Sequence, residues 1–234
     1  MAQTWRSRFS IPLGVAAVAA LPIGALGTKF GLWPFTVGFL LIAIGVLLAL
    51  TLILLAVIFA FMQAYQEDKK GLLVGGGLGL LPLAVVVSLV MGGGTKVPPI
   101  HNVTTDVANP PSFEALLVAR GNDSNPVDLD EESQQANLGF YKLQPIQSKL
   151  SVEDAAARAQ TVAEQLGWTI TAGQRANYIE ATDETFWFGF KDDVAIRITP
   201  TAAGSQVDLH SVSRVGKSDL GANALRIQAF AQAF

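Results

Sequence analysis

The sequence predicts a membrane protein: about three transmembrane α-helices, followed by an α+β soluble domain in which an antiparallel sheet packs with helices. Three observations carry this prediction. First, three stretches lack any charged side chain: Phe9–Thr28, Phe30–Gln66 and Gly71–Thr95. Second, after Lys96 charges become frequent and acids outnumber bases. Third, from Ser151 onward a helical apolar period gives way to short alternating segments and then to a closing helical pattern.

A bilayer core of ~30 Å needs about 20 apolar residues in helical form. All three uncharged stretches reach that length. A soluble helix keeps a polar side toward water, and these keep none. The membrane region is therefore 1–95, with spans about 9–27, 33–65 and 72–91. Trp33 and Tyr65 suit the interfacial belts. Arg6 and Arg8 before an apolar run resemble the start of a signal peptide, and Ala17–Val18–Ala19 mimics a cleavage site; a retained span is expected.

Basic residues set the orientation. Arg6, Arg8, Lys69 and Lys70 fall on one side, and only Lys29 and Lys96 on the other. The richer side faces the cytoplasm, so three spans carry the C-terminal domain across the membrane.

Within the spans, buried ionisable groups would mark an ion or proton route, and none is present. Thr36, Thr51 and Ser88 can bond their own helix backbones. Small residues at helical spacing, Ala20 with Gly24 and Gly75 with Gly79, allow close helix approach. They suit packing among the three helices or docking of other membrane-protein subunits, the first being preferred.

Net charge is −3 and there is no cysteine. The soluble part lacks the basic face that nucleic acid requires, so no such partner is expected. Disulfides and thiolate chemistry are excluded. No metal or cofactor is expected. Acidic residues cluster between Gly121 and Ser133, but the calcium-loop glycine is missing and Val127 falls at a ligand position. A solvated loop is expected there.

Residues 96–150 read as an extended linker and irregular segment, because Pro98–Pro99 and Pro110–Pro111 favour extended chain. The α+β domain is 151–234. Ser151 caps a helix and Asp154 completes a variant capping box. Val152, Ala155, Ala156, Ala159, Val162 and Leu166 form its stripe, and Gly167 ends it. Strands are expected at Trp168–Thr171, Tyr178–Thr182, Phe186–Phe190, Val194–Thr199 and Gln206–Arg214. Gly173, Asp183–Glu184, Asp192–Asp193 and Ala203–Gly204 mark the turns. The aromatic run from Phe186 is expected as core. The last helix starts near Ser218 or Asp219, with Leu220, Ala224, Ile227, Ala231 and Phe234 on one face.

Alternation places Val194, Ile196 and Ile198 on one face and Asp193 and Arg197 on the other. In the following strand Val207 and Leu209 face the core, so Asp208, His210 and Arg214 share the polar face if the two strands pair. Ser213–Gly221 then runs from strand into helix start. Free amides, a helix dipole and basic side chains make an anion site plausible there. The candidate ligand-binding set is Asp193, Arg197, Asp208, His210, Arg214, Gly216, Ser218, Asp219, Asn223 and Arg226. Gly216–Lys217–Ser218 mimics the end of a nucleotide-binding P-loop, but Ser211 stands where that pattern needs glycine.

Four segments, Ile100–Asp106, Tyr178–Ala181, Gly189–Arg197 and Ser211–Ile227, resemble domain-of-unknown-function family 1499. The resemblance covers the soluble part from about Ile100, and Ser211–Ile227 is its most specific stretch. It implies a bacterial envelope protein and no established activity; some members carry N-terminal spans like these. The family pattern implies an arginine between Asp208 and Ser211. This chain has His210, which weakens the case for a permanent charge there.

Three functions compete. The first is a membrane-anchored structural or assembly module of a membrane complex, with Asp193–Arg197 and Asp208–Arg214 as internal ion pairs. The second is binding of an anionic lipid headgroup or envelope metabolite, with Arg197, Arg214 and Arg226 supplying charge. The third is an enzyme using His101 and His210 with Asp106. Catalytic residues are expected to be absent. The expected location is a bacterial inner (cytoplasmic) membrane, N-terminus cytoplasmic and C-terminal domain periplasmic or extracytoplasmic.

Overall fold

The computed structural model describes residues 5–62, 66–91, 97–171 and 175–234. The chain divides into two compact units, Met1–Met91 with Phe186–Gly189, and Gly92–Thr185 with Phe190–Phe234.

Three long helices form the first unit: α1 (Trp5–Lys29), α2 (Phe35–Ala60) and α3 (Lys69–Met91). Each is long and apolar enough to cross a membrane. Large apolar side chains such as Leu47 and Leu54 point outward, as lipid contact requires. The small residues sit at the crossings inside the bundle. A Cβ on Gly24 would lie 2.6 Å from the Gly38 carbonyl, and one on Gly75 would lie 2.5 Å from the Ser10 carbonyl. Gly45 faces the methyl of Ala20, and Gly79 faces Ala49. Both expected pairs thus serve packing among these helices. Thr51 and Ser88 donate to the Leu47 and Val85 carbonyls of their own helices.

The second span is shorter than the expected 33–65. Trp33 precedes the helix and donates its indole N–H to the Gly24 carbonyl at 3.3 Å. At the other end the Phe61 N–H turns back to the Ile58 carbonyl and the Met62 N–H to the Phe59 carbonyl. Gln63–Tyr65 lie outside the described residues, as do Gly92–Lys96 and the turn expected at Gly173.

An antiparallel sheet, packed with helices, builds the second unit. Its strands are β1 (Asn102–Thr104), β2 (Ile146–Ser148), β3 (Thr169–Ile170), β4 (Tyr178–Glu184), β5 (Lys191–Thr201) and β6 (Gly204–Ser213). The order is β1-β6-β5-β4-β3, with β2 also pairing β6. The long strands β5 and β6 pair through a tight turn, placing Arg197 opposite Asp208 and Ala195 opposite His210.

Helices α6 (Val152–Gln165) and α7 (Ala222–Ala233) cover one face. Ile179, Ala181, Val194, Ile196, Ile198, Val207 and Leu209 of the sheet meet Ala155, Ala159, Val162, Ile227 and Phe230 there. Ser151 caps α6 as expected: its hydroxyl accepts the Asp154 N–H at 3.1 Å and donates to the Asp154 carboxylate at 2.8 Å. The strip on α7 differs from expectation. Its buried residues are Asn223, Ala224, Arg226, Ile227 and Phe230, whereas Leu220 is exposed with φ +53°. The helix begins at Ala222, after a left-handed N-cap at Gly221, and the Asp219 carboxylate accepts the N–H groups of Gly221 and Asn223 from outside the helix.

Residues 96–150, expected as a linker and irregular segment, hold β1, α4 (Ala115–Arg120), α5 (Glu131–Tyr141) and β2. Strands of three residues are too short to show alternation. Helix α5 buries polar Gln134 and Asn137, so it lacks an apolar stripe. Gln134 instead ties α5 to the β1 edge, donating to the Asn102 carbonyl at 3.0 Å and accepting the Thr104 N–H at 3.2 Å.

Two further expectations change. Asp183–Glu184 and Asp192–Asp193 are strand residues, paired across β4 and β5. Phe186–Phe190 is the turn between those strands, closed by the Thr185 N–H on the Phe190 carbonyl at 2.9 Å. Gly189 holds φ +67°, which an aromatic residue at its place would resist. The run is not core, for Phe186 and Trp187 are 71% and 54% exposed.

Candidate functional site

The pairing of β5 with β6 brings Asp193, Arg197, Asp208, His210 and Arg214 to one face of the sheet, as alternation predicted. That face is not open. Residues 105–127 and α4 lie over it, and Phe113, Leu116 and Val127 pack on Tyr178, Ala195 and Val212. Asp193 and Asp208 are fully buried and His210 is nearly so.

Asp193 sits at the centre of a charged knot. Its carboxylate accepts Arg120 Nη1 at 2.7 Å, Arg214 Nε and Nη2 each at 2.9 Å, and the Thr182 hydroxyl at 2.8 Å. Burial, opposed by Asp193, pulls the Arg120 pKa down. Arg120 also donates to the Asn125 carbonyl at 2.8 Å, and Arg214 to the Ala119 carbonyl at 3.1 Å.

Further along the same face, Arg197 bridges Asp106 at 2.8 Å and Asp208 at 3.1 Å, and donates to the Asn109 carbonyl at 2.8 Å. Burial lowers its pKa, but the two carboxylates outweigh burial and the net shift is upward. Gln206 completes the shell of Asp208.

Asn223 and Arg226 lie on the opposite, helix-covered face. Arg226 pairs with Asp183 at 2.8 Å and with Asp192, and donates to Ser211 at 3.1 Å and Asn223 at 2.7 Å. Asn223 donates to the His101 carbonyl and to the Ser213 hydroxyl, both at 3.0 Å. Asp219 accepts the N–H groups of Gly221 at 2.8 Å and Asn223 at 3.0 Å, consuming donors at the start of α7. Burial pushes its pKa up against those bonds. The Leu220 N–H turns to the Ser218 hydroxyl at 3.3 Å, and the Asp219 N–H to the Ile100 carbonyl at 2.9 Å. Gly216 holds φ +93°, and its carbonyl accepts Asn125 Nδ2 at 2.7 Å.

The ten candidate residues therefore do not converge on one cleft. They form two internal networks, one on each face, joined by the loop Arg214–Gly221. The histidines are also separately engaged. His101 Nε2 meets the Pro126 carbonyl at 3.0 Å, and His210 Nδ1 meets the Pro111 carbonyl at 2.8 Å. Asp106, the third member of the enzyme reading, is the ion-pair partner of Arg197.

Several participants were not foreseen: Arg120, Asn125, Glu180, Asp183 and Asp192. Glu180 accepts the backbone N–H groups of Glu114 at 2.9 Å, Ala115 at 3.2 Å and Leu116 at 2.8 Å, so a strand carboxylate caps α4. A signal for the acids was present. Two adjacent aspartates on one strand must point to opposite faces, and Asp192 and Asp193 each meet an arginine there.

No curated relative matches the chain. The family model described as a protein of unknown function, DUF1499, matches residues 102–234, the segment that contains the ten candidate residues and the six strands found among the described residues. With more than half of its length in that match, the chain belongs to the DUF1499 family.

Proposed function

We propose that this protein is a membrane-anchored structural or assembly module, an accessory subunit of a membrane complex in the cell envelope. The carrying observation is that Arg197, Arg214 and Arg226 are each engaged by internal carboxylates. A headgroup at the strand-to-helix junction would have to displace those partners, and the first donors of α7 already meet Asp219. Buried, hydrogen-bonded ion pairs hold a surface in one shape, which suits recognition by another protein more than capture of a small anion. The basic residues flanking the spans favour a bacterial inner membrane protein whose N-terminus is cytoplasmic and whose domain is periplasmic or extracytoplasmic.

Cross-linking in intact membranes, followed by extraction of the full chain in native lipid discs and native mass spectrometry, tests this reading. A stoichiometric protein partner is the expected result. Extraction as a lone chain, with no cross-linked partner at native expression level, overturns it. A reporter fused after Phe234 is expected to be active outside the cytoplasm; cytoplasmic activity overturns the orientation.

A further inference from the structure

The turn Phe186–Gly189 belongs by its contacts to the compact unit built from α1, α2 and α3. It presents two large aromatic rings to the outside, Phe186 and Trp187. The rings stand edge to face, 5.3 Å apart, and make one apolar knob. Neither belongs to the core packed under α6 and α7 or to the cluster under α4. A turn that meets only water draws on Gly, Pro, Asn, Asp and Ser. This one spends Phe, Trp and Phe before its glycine, so packing and turn geometry leave its composition unexplained.

Contacts inside the helical unit set the level of the turn along the helices. The Phe188 ring lies 5.0 Å from the ring of Phe39. Phe39 is an outward-facing residue of α2, 47% exposed, and meets Phe35 at the start of that helix at 5.9 Å. Lys29, the last residue of α1, donates to the Phe186 carbonyl at 2.8 Å. Its ammonium also lies 5.0 Å from the centroid of the Phe186 ring. The turn is therefore level with the end of the bundle where α1 stops and α2 begins. Rings gathered at one end of apolar spans mark the boundary between hydrocarbon and water. A lysine at the end of a span reaches toward headgroups from the same level.

The base of the turn limits how deep it can go. Glu184 and Lys191, both exposed, pair across β4 and β5 below the rings. Charged side chains resist entry into hydrocarbon, so only the aromatic tip suits lipid.

We propose that Phe186–Gly189 is an interfacial membrane anchor, in which Phe186 and Trp187 insert among the headgroups and upper acyl carbons of the bilayer that holds α1–α3. The occupant is lipid because the rings continue, through Phe39, the outward-facing apolar surface of α2. The inference rests on α1–α3 as membrane spans and is independent of the assembly role.

The chain has no cysteine, so a single nitroxide label can be placed at W187C and, separately, at F186C. Each variant keeps the other ring. The full chain is reconstituted in nanodiscs of phosphatidylcholine and phosphatidylglycerol. Collisions with oxygen, which concentrates in lipid, and with nickel(II) ethylenediaminediacetate, which stays in water, report the surroundings of each label. L47C, on the outer side of α2, is the lipid reference, and E132C, on the exposed side of α5, is the water reference. At both 186 and 187 the oxygen-to-nickel ratio is expected to be severalfold above that of E132C and below that of L47C. A ratio equal to that of E132C at either position overturns the proposal. So does a label screened from both reagents, the signature of contact with a protein partner. The L47C label separates the two possible failures. A water-bathed L47C removes the spans and the anchor with them, whereas an immersed L47C beside water-bathed labels at 186 and 187 removes the anchor alone.

Discussion

Arg214 meets Asp193 side-on, its Nε on one carboxylate oxygen and its Nη2 on the other, both at 2.9 Å. Arg120 reaches the same carboxylate from α4 at 2.7 Å. One buried acid therefore answers two guanidinium groups from two different segments. Removing it strands both charges, a change that costs about 3–5 kcal/mol for a buried pair. D193A is expected to lower the thermal unfolding midpoint of the full chain by roughly 10 °C or more. R214A is expected to cost clearly less, because Arg120 and Thr182 still satisfy Asp193 and position 214 is partly exposed. Thermal unfolding of both variants in detergent checks the order; R214A as damaging as D193A would contradict it.

Glu180 holds the start of α4 by accepting three successive backbone N–H groups. The helix has no side-chain cap of its own at Glu114. E180A leaves three donors without their carboxylate, that of Leu116 buried and those of Glu114 and Ala115 half-buried, and is expected to cost about 1–3 kcal/mol. E180Q keeps one carbonyl oxygen and should fall between. The local readout is amide hydrogen exchange: protection at Glu114, Ala115 and Leu116 is expected to drop in E180A while that of β5 and β6 changes little.

These two relationships show which parts were legible in the sequence. The spans were, because an uncharged stretch of ~20 residues has few folded alternatives. Helix α6 was, because Ser151, Asp154 and the alanine-valine stripe agree at three levels. The face carrying Asp193, Arg197, Asp208 and His210 was, because the strand period is two. What covers that face was not. Alternation says that residues share a side, and says nothing about a layer supplied by Pro110–Arg120, a segment whose prolines read as linker. Arg120 and Glu180 matter only once that segment folds back, so no local pattern around either residue announces its role. The misplaced turn at Asp192–Asp193 has a related cause: paired aspartates favour turns in isolation, and here arginines on both faces of the sheet hold them in a strand.

The buried imidazole of His210 makes stability depend on pH. Its folded pKa is about 4, against 6.5 in its ordinary setting. Between these values the unfolded chain binds the proton and the folded chain does not. Stability is complete above pH 6.5 and falls as the pH drops toward 4, by up to about 3 kcal/mol. In H210F this contribution disappears, at the expense of an unpaired Pro111 carbonyl. The difference between the wild-type and H210F unfolding free energies is expected to shrink as the pH drops from 6.5 to 4, carboxylate effects common to both cancelling. A difference that stays flat over that window would contradict the neutral, buried imidazole.

The bundle offers a paired test of why its glycines are small. A Cβ on Gly38 would lie 2.5 Å from the Gly24 carbonyl, whereas one on Gly77 would meet nothing within 4 Å. The two positions have the same residue type in helices of similar character, so propensity changes are alike and packing decides the outcome. G38L must push α1 and α2 apart, losing contacts along the crossing that also includes the Thr28 hydroxyl. G77L adds a side chain on an open side. After heating in detergent, G38L is expected to lose its monodisperse size-exclusion peak at a temperature several degrees lower than the parent protein, and G77L to retain it. If both variants instead fail together in membranes while G77L is sound in detergent, the open side of α3 is in contact with another subunit, and the assembly reading acquires its first mapped surface.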